Sequence, residues 1–218
     1  MNESYPAIYR DKLGEEITII NNDGQLLSIT IRGVTFTGQE FDSLEAATPL
    51  QETLLDSFTL RNTDLCDCEI ECDMPLIILS KEEPLSANLH IHLILGAPLP
   101  NGGLENEKLQ LRLDINEKSY LSCGKHGWFE DELLELQAAL PNGSYMKCCF
   151  NCAFSDYHPV GSGCFGTLAC FRDNKREYLK VKNKTALFQI WNTMTEWVQE
   201  TYLCPEFEKR VPGTGYRG

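Results

Sequence analysis

The chain has 218 residues, 42% of them apolar and 23% charged, and carries a formal net charge of −13. That balance belongs to a folded protein long enough to bury a real core, and it excludes a disordered chain. Such acidity repels nucleic acid and anionic lipid and favours encounter with basic partners.

The charge is uneven. Residues 1–147 hold 10 Lys and Arg against 25 Asp and Glu, a net of −15, whereas 148–218 hold 9 against 7, a net of +2. No apolar run approaches the roughly 20 residues that cross a bilayer. The opening MNESYPAIYRDKLGEE lacks the apolar centre of an export signal, so a cytoplasmic protein is expected. Ten cysteines in a reducing compartment point to buried thiols or metal ligands rather than disulfides.

Strand signals dominate the first 120 residues. Segments 16–20 and 26–34 flank Asn21-Asn22-Asp23-Gly24, an Asp-Gly turn that closes hairpins. Residues 36–63 show no clear pattern, and 50–60 fits a short helix or a loop. Three later segments alternate with period two. In 65–74, Cys66, Cys68, Ile70, Cys72 and Met74 share one face, and Asp67, Glu69, Glu71 and Asp73 share the other. In 89–95, Leu89, Ile91, Leu93 and Leu95 alternate with His90, His92 and Ile94. In 109–115, apolar residues alternate with Gln110, Arg112 and Asp114. This is the pattern of antiparallel strands with one face on a core and one in water. Residues 129–140 read as a short amphipathic helix with an acidic first turn, stopped by Pro141-Asn142-Gly143. A β segment over 145–152 follows, then a hairpin of 166–172 and 177–181. Last comes an amphipathic helix over 185–202, with Asn183 as its N-cap.

Cys149-Phe150-Asn151-Cys152 is a C-x-x-C pair, able to place two thiolates on one tetrahedral ion. With Cys170 and Cys204 it gives the spacing C-x₂-C-x₁₇-C-x₃₃-C, and four thiolates suit a structural zinc ion. Spacing alone does not separate Cys164 from Cys170 as the third ligand. Redox use of the pair is disfavoured, since such motifs open a helix in a βαβ unit. Cys66, Cys68 and Cys72 read as small core hydrophobes. Cys123 lies in a turn with His126, but closeness in sequence does not make a nucleophile and base. His90 and His92 share a strand face, a spacing that can chelate a metal if Glu69 or Glu71 lies alongside. Asp156, Tyr157 and His158, with Gly161-Ser162-Gly163, form a loop that combines acid, phenol and imidazole. The tail 212–218 reads as a surface-hugging or flexible terminus.

The stretch CCFNCAFSDYHPVGSGCFGTLACF, with YLCPEFEKR and the closing PGTGYRG, resembles an uncharacterised bacterial family of acidic, cysteine-bearing proteins over residues 145–218. The resemblance supports grouping Cys149, Cys152, Cys170 and Cys204 and implies no mechanism.

The expected fold is mainly β with some α. An acidic, antiparallel, sandwich-like part spans residues 1–140. A cysteine-rich α+β segment spans 141–218, a zinc-stapled hairpin plus helix packed on the first part as one unit. The expected function is non-enzymatic: an acidic inhibitor or immunity-type protein that captures a basic bacterial protein through Asp67, Glu69, Glu71 and Asp73. Two alternatives stand beside it. One is a scaffold component of a larger assembly, the other a metal-dependent enzyme using His90 and His92.

Overall fold

The computed structural model describes residues 3–47, 52–81, 83–158 and 164–217. β1 (Glu3–Asp11) and β2 (Gly14–Asn22) pair along their full length, with Tyr5, Ala7 and Tyr9 of β1 turned inward. The expected turn follows, with Gly24 at φ 95°, a left-handed value that glycine adopts without strain. β3 (Leu27–Ile31) and β4 (Val34–Gly38) replace the single strand expected over 26–34, because Arg32 and Gly33 both take positive φ and reverse the chain. β5 (Glu45–Ala46), the short α1 (Glu52–Leu55), β6 (Thr59–Arg61) and β7 (Asp64–Cys66) come next. Part of the segment read as helix or loop, residues 50 and 51, lies outside the described residues.

β8 (Cys68–Leu79), β9 (Leu85–Leu95), β10 (Lys108–Ile115) and β11 (Lys118–Leu121) carry the alternation read in the sequence. α2 (Phe129–Ala139) and β12 (Tyr145–Met146) follow them. Among the described residues the sheet has twelve strands in the order β11-β10-β9-β8-β1-β2-β3-β4-β5-β7-β6, with β12 added on β8. β7 and β8 stand far apart in that order, yet only Asp67 separates them in the chain. The sheet therefore rolls over on itself. Asp67 makes the corner at φ 53°, and its N–H donates to Gly96 O at 3.0 Å. The inward faces meet as one core: Phe36, Ile70, Met74, Ile91, Leu93, Leu111 and Leu113 are buried there, and Phe129, Leu133 and Leu136 of α2 close it.

A second, three-stranded sheet is formed by β13 (Ser155–Tyr157), β14 (Thr167–Cys170) and β15 (Glu196–Gln199), with β14 in the middle. Its hairpin is β13–β14. The expected partner strand over 177–181 is instead α3 (Lys175–Tyr178) and the turn after it. The expected long helix stops early. α4 (Lys184–Ile190) is capped by Asn183, whose Oδ1 accepts from Ala186 N at 2.9 Å, but a 3-10 turn over Trp191–Thr193 ends it and the chain extends into β15. The pairing of β15 with β14 supplies backbone partners that a helix would have found within itself. The expected β segment over 145–152 is only the two residues of β12, followed by a 3-10 turn at Cys149–Asn151. Met146, Cys148, Phe150, Cys164 and Phe165 belong to the main core, so the C-terminal segment packs on the large sheet.

Leu111→Ala, which empties a fully buried site, is expected to cost about 2–5 kcal/mol in denaturant unfolding. Ile17 on the outer face of β2 is 82% exposed, so Ile17→Thr should stay within about 0.5 kcal/mol of the wild type. A larger loss at Ile17 would mean that this face is covered.

Candidate functional site

Of the four cysteines grouped by spacing, Cys149, Cys170 and Cys204 share one buried cluster and Cys152 lies in the neighbouring one. Cys149 and Cys152 sit at the two ends of the 3-10 turn, where Cys152 N–H donates to Cys149 O at 3.1 Å. Cys170 ends β14, and Cys204 lies beyond β15, brought in by the bond from Cys149 N–H to Tyr202 O at 3.0 Å. The thiols of Cys149 and Cys204 hydrogen-bond to each other, Cys152 stands beside Cys149, and Cys170 faces Cys152 and Cys204. Cys164, the rival third ligand, faces Asp42 and Glu107 instead.

Backbone donors and cations offset part of the cost of burying thiolates here. The N–H of Arg172 donates to the Cys170 sulfur, and that of Glu206 to the Cys204 sulfur. The Arg172 guanidinium faces Cys170 and Cys204, and the Lys175 ammonium faces Cys152. The hydrogen bond from Cys149 lowers Cys204 to about 6, and the same bond together with burial pushes Cys149 upward. Burial raises Cys170 to about 11. Cys66, Cys68 and Cys72 lie in the main core as expected.

The C-terminal tail straps this knuckle. Glu208 O accepts from Ala153 N–H at 2.7 Å, and Asn151 O from Arg210 N–H at 2.9 Å. The Arg210 side chain donates to Cys152 O at 2.7 Å and Ser155 O at 2.5 Å. Arg217 donates to Glu130 at 2.9 Å and lies 4.6 Å over the Tyr157 ring. Beneath the strap the Tyr157 hydroxyl donates to Glu200, which is fully buried with its Oε2 unpartnered. Burial pushes Glu200 up to about 8. Asp156, Tyr157 and His158 do not converge. Asp156 accepts from Tyr178 at 2.9 Å, Tyr157 turns to Glu200, and the His158 ring meets Trp191 edge-on at 5.0 Å. Gly161-Ser162-Gly163 lie outside the described residues.

On the outer sheet face β8 and β9 pair in register, Glu71 opposite His92 and Asp73 opposite His90. His92 Nε2 lies 2.7 Å from Glu69, and His90 Nδ1 lies 3.0 Å from Asp73. Arg10 of β1 reaches across the same face, its Nη1 3.3 Å from Glu69 and 2.6 Å from Glu71. Burial opposes the Glu71 charge, yet Arg10 holds the Glu71 carboxyl below its ordinary range. The acidic face is thus partly neutralised from within. Asp67, at the sheet corner, accepts from Thr59 at 3.2 Å and is not continuous with β8. The sequence reading missed Arg10, although the alternation of Tyr5, Ala7 and Tyr9 turns Arg10 outward.

Among the described residues three gatherings elsewhere hold all their ligand-type atoms within 4.8 Å of one another, closer than the four thiols stand as a set. They are Glu69, Glu71 and His92; Asp42, Glu107 and Cys164; and Cys123, His126 and Glu135. Arg10 fills the cation position in the first, and Arg61 faces both acids of the second.

Residues 3–155 match a sequence family described as a family of unknown function (DUF6304). The chain belongs to that family. The match takes in the large sheet, α2 and the C-x-x-C turn, so it falls on the N-terminal two thirds rather than on 145–218, where the resemblance was read. No curated protein matches the chain, and no solved structure does. Among the described residues no helix is long and apolar enough to cross a membrane.

The folded protein holds the Glu200 proton up to about pH 8, whereas an unfolded chain releases it near 4.5. The stability Glu200 contributes is therefore full below the lower value and is lost as pH rises through the upper one. Glu200→Gln should raise the melting temperature at pH 8. Between these limits it should also remove a slope of at most about 1.4 kcal/mol per pH unit. Melting curves that stay parallel to the wild type across this range would refute the assignment.

Proposed function

We propose that the chain is a non-enzymatic binding protein. In this reading an acidic β body captures a basic protein partner, and one structural zinc ion on Cys149, Cys152, Cys170 and Cys204 holds the C-terminal segment in shape. The observation that supports the metal half is the shared buried cluster of Cys149, Cys170 and Cys204, with Cys152 at the far end of the turn that Cys149 begins. Four thiolates around a divalent ion leave a net charge of −2, which the backbone N–H donors, Arg172 and Lys175 are placed to offset. Four sulfur ligands complete a tetrahedron and leave no position for a reacting water, so the ion acts as a cross-link. Free thiols suit a reducing compartment, the cytoplasm above all.

The binding half rests on the excess of acid in residues 1–147. Asp67, Glu69, Glu71 and Asp73 would form the capture stripe, a basic partner displacing Arg10 from Glu69 and Glu71. An inhibitor or immunity-type role toward a bacterial protein fits such a stripe, since charge on this face speeds encounter. The enzyme reading through His90 and His92 is weaker, because Arg10 stands where the ion would bind. One observation favours a scaffold role as second reading. Ile17 and Ile19 on the outer face of β2 are 82% and 54% exposed beside Pro6 of β1, an apolar patch suited to assembly.

Elemental analysis of the reduced protein should find about one zinc per chain in this knuckle. Cys149→Ser with Cys152→Ser should remove it along with several degrees of thermal stability; a metal-free wild type would sink the zinc cross-link. Glu69→Lys with Glu71→Lys should leave the circular dichroism unchanged and slow capture of a basic partner at least about tenfold. Unchanged capture would exclude the stripe. Loss of oligomers in Ile17→Lys, read by sedimentation, would favour the scaffold instead.

A further inference from the structure

The loop between β11 and α2 is shaped around the first turns of the helix. Ser122 is anchored to β10: its hydroxyl accepts from Leu111 N–H at 2.9 Å and its carbonyl accepts from Gln110 at 3.1 Å. The fully buried carboxylate of Glu132 then takes the N–H of Gly124 and of His126, both at 3.0 Å. Gly124 accommodates the bend at φ 66°. Glu135, one turn further along the same helix face, accepts from Cys123 N–H at 2.8 Å and lies 3.7 Å from His126 Nε2. The outcome is a thiol, an imidazole and a carboxylate with ligand atoms all within 4.8 Å of one another, on the outside of the protein.

We propose that Cys123, His126 and Glu135 form a second metal site, open to solvent, for a borderline divalent ion such as zinc, cobalt or nickel. The donor set decides the class of ion. One sulfur and one imidazole nitrogen suit these ions and not calcium or magnesium, which take oxygen. Two features separate this group from the other gatherings of ligand atoms. No arginine is bonded to its ligands as Arg10 is to Glu69 and Glu71, and the cation that faces it is Lys125, beside Glu135. The N–H of Lys125, two residues after the cysteine, donates to the Cys123 sulfur, as the N–H groups two residues on do at Cys170 and Cys204. Such a donor stabilises a thiolate ligand.

Without an ion, Glu135 accepts a hydrogen bond from the Cys123 thiol and holds its proton on, so Cys123 is a poor nucleophile here. On binding, the S–H bond is replaced by a sulfur–metal bond and the proton leaves to solvent. Three protein ligands leave the coordination incomplete, so water or a donor from another molecule completes it. This site stands independently of the cysteine knuckle.

The test is a cobalt(II) titration of the full-length reduced protein, read by visible absorbance and by equilibrium dialysis. The wild type should bind one equivalent more than Cys123→Ser with His126→Ala, whatever the knuckle holds. Glu135→Gln should weaken that equivalent at least about tenfold. Equal stoichiometry in wild type and double variant overturns the proposal, as does an extra equivalent that disappears only with Cys149→Ser and Cys152→Ser. Should the double variant lose its β signal, the single Cys123→Ser exchange at this exposed position reads the same difference.

Discussion

The pairing of β8 with β9 and β1 governs where everything else in the molecule stands. β8 is twelve residues long and hydrogen-bonds along its length, to β9 on one side and to β1 and β12 on the other. Strict alternation along it sends Cys68, Ile70, Cys72, Met74 and Leu76 into the core, and Glu69, Glu71 and Asp73 outward. A slip of one residue would exchange those two sets and bury three carboxylates. The same strand receives the C-terminal segment. β12 extends the ladder, and the Thr201 hydroxyl reaches Met74 Sδ at 3.7 Å.

Charge on the outer face is organised rather than merely accumulated. The acids of β8 have polar partners on both sides, Arg10 from β1 and the His90 and His92 rings from β9, and β10 pairs Arg112 with Asp114 within itself. Cross-strand pairs of this kind contribute modestly, about 0.2–1 kcal/mol each. They also restrain the mutual repulsion of carboxylates spaced along one strand face. The net −15 of residues 1–147 is what remains after these cations are counted, so the segment stays strongly acidic.

Much of the large sheet was legible in the sequence, because period-two alternation and burial are the same fact seen twice. Segments 89–95 and 109–115 bury every second residue as expected, 65–74 does so only from Cys68 on because the chain turns a corner at Asp67, and α2 has the acidic start and the Pro141 stop. The C-terminal segment was harder. Leu187, Ile190, Met194 and Val198 have helical spacing, yet β14 offered an edge, and an edge is not visible in periodicity. Asp173 and Asn174 looked like a hairpin turn but begin a helical turn. Cysteine spacing grouped Cys149, Cys152, Cys170 and Cys204, of which Cys149, Cys170 and Cys204 share one buried cluster. It carried no hint of Arg10, or of Glu135 reaching back to Cys123, since both come from other elements.

The rolled sheet has a consequence for how the protein assembles. Neighbouring strands such as β1–β2, β3–β4 and β10–β11 close over short turns, but Arg10 and Glu69 must meet across 59 positions and Thr201 and Met74 across 127. Entropy lost in closing such loops precedes any contact that rewards it. The hairpins can therefore form long before β8 joins β1. Until it does, both strands present unpaired backbone edges, the template on which other chains add. Vulnerability to aggregation then lies in the time taken to close the roll rather than in the stability of the closed form.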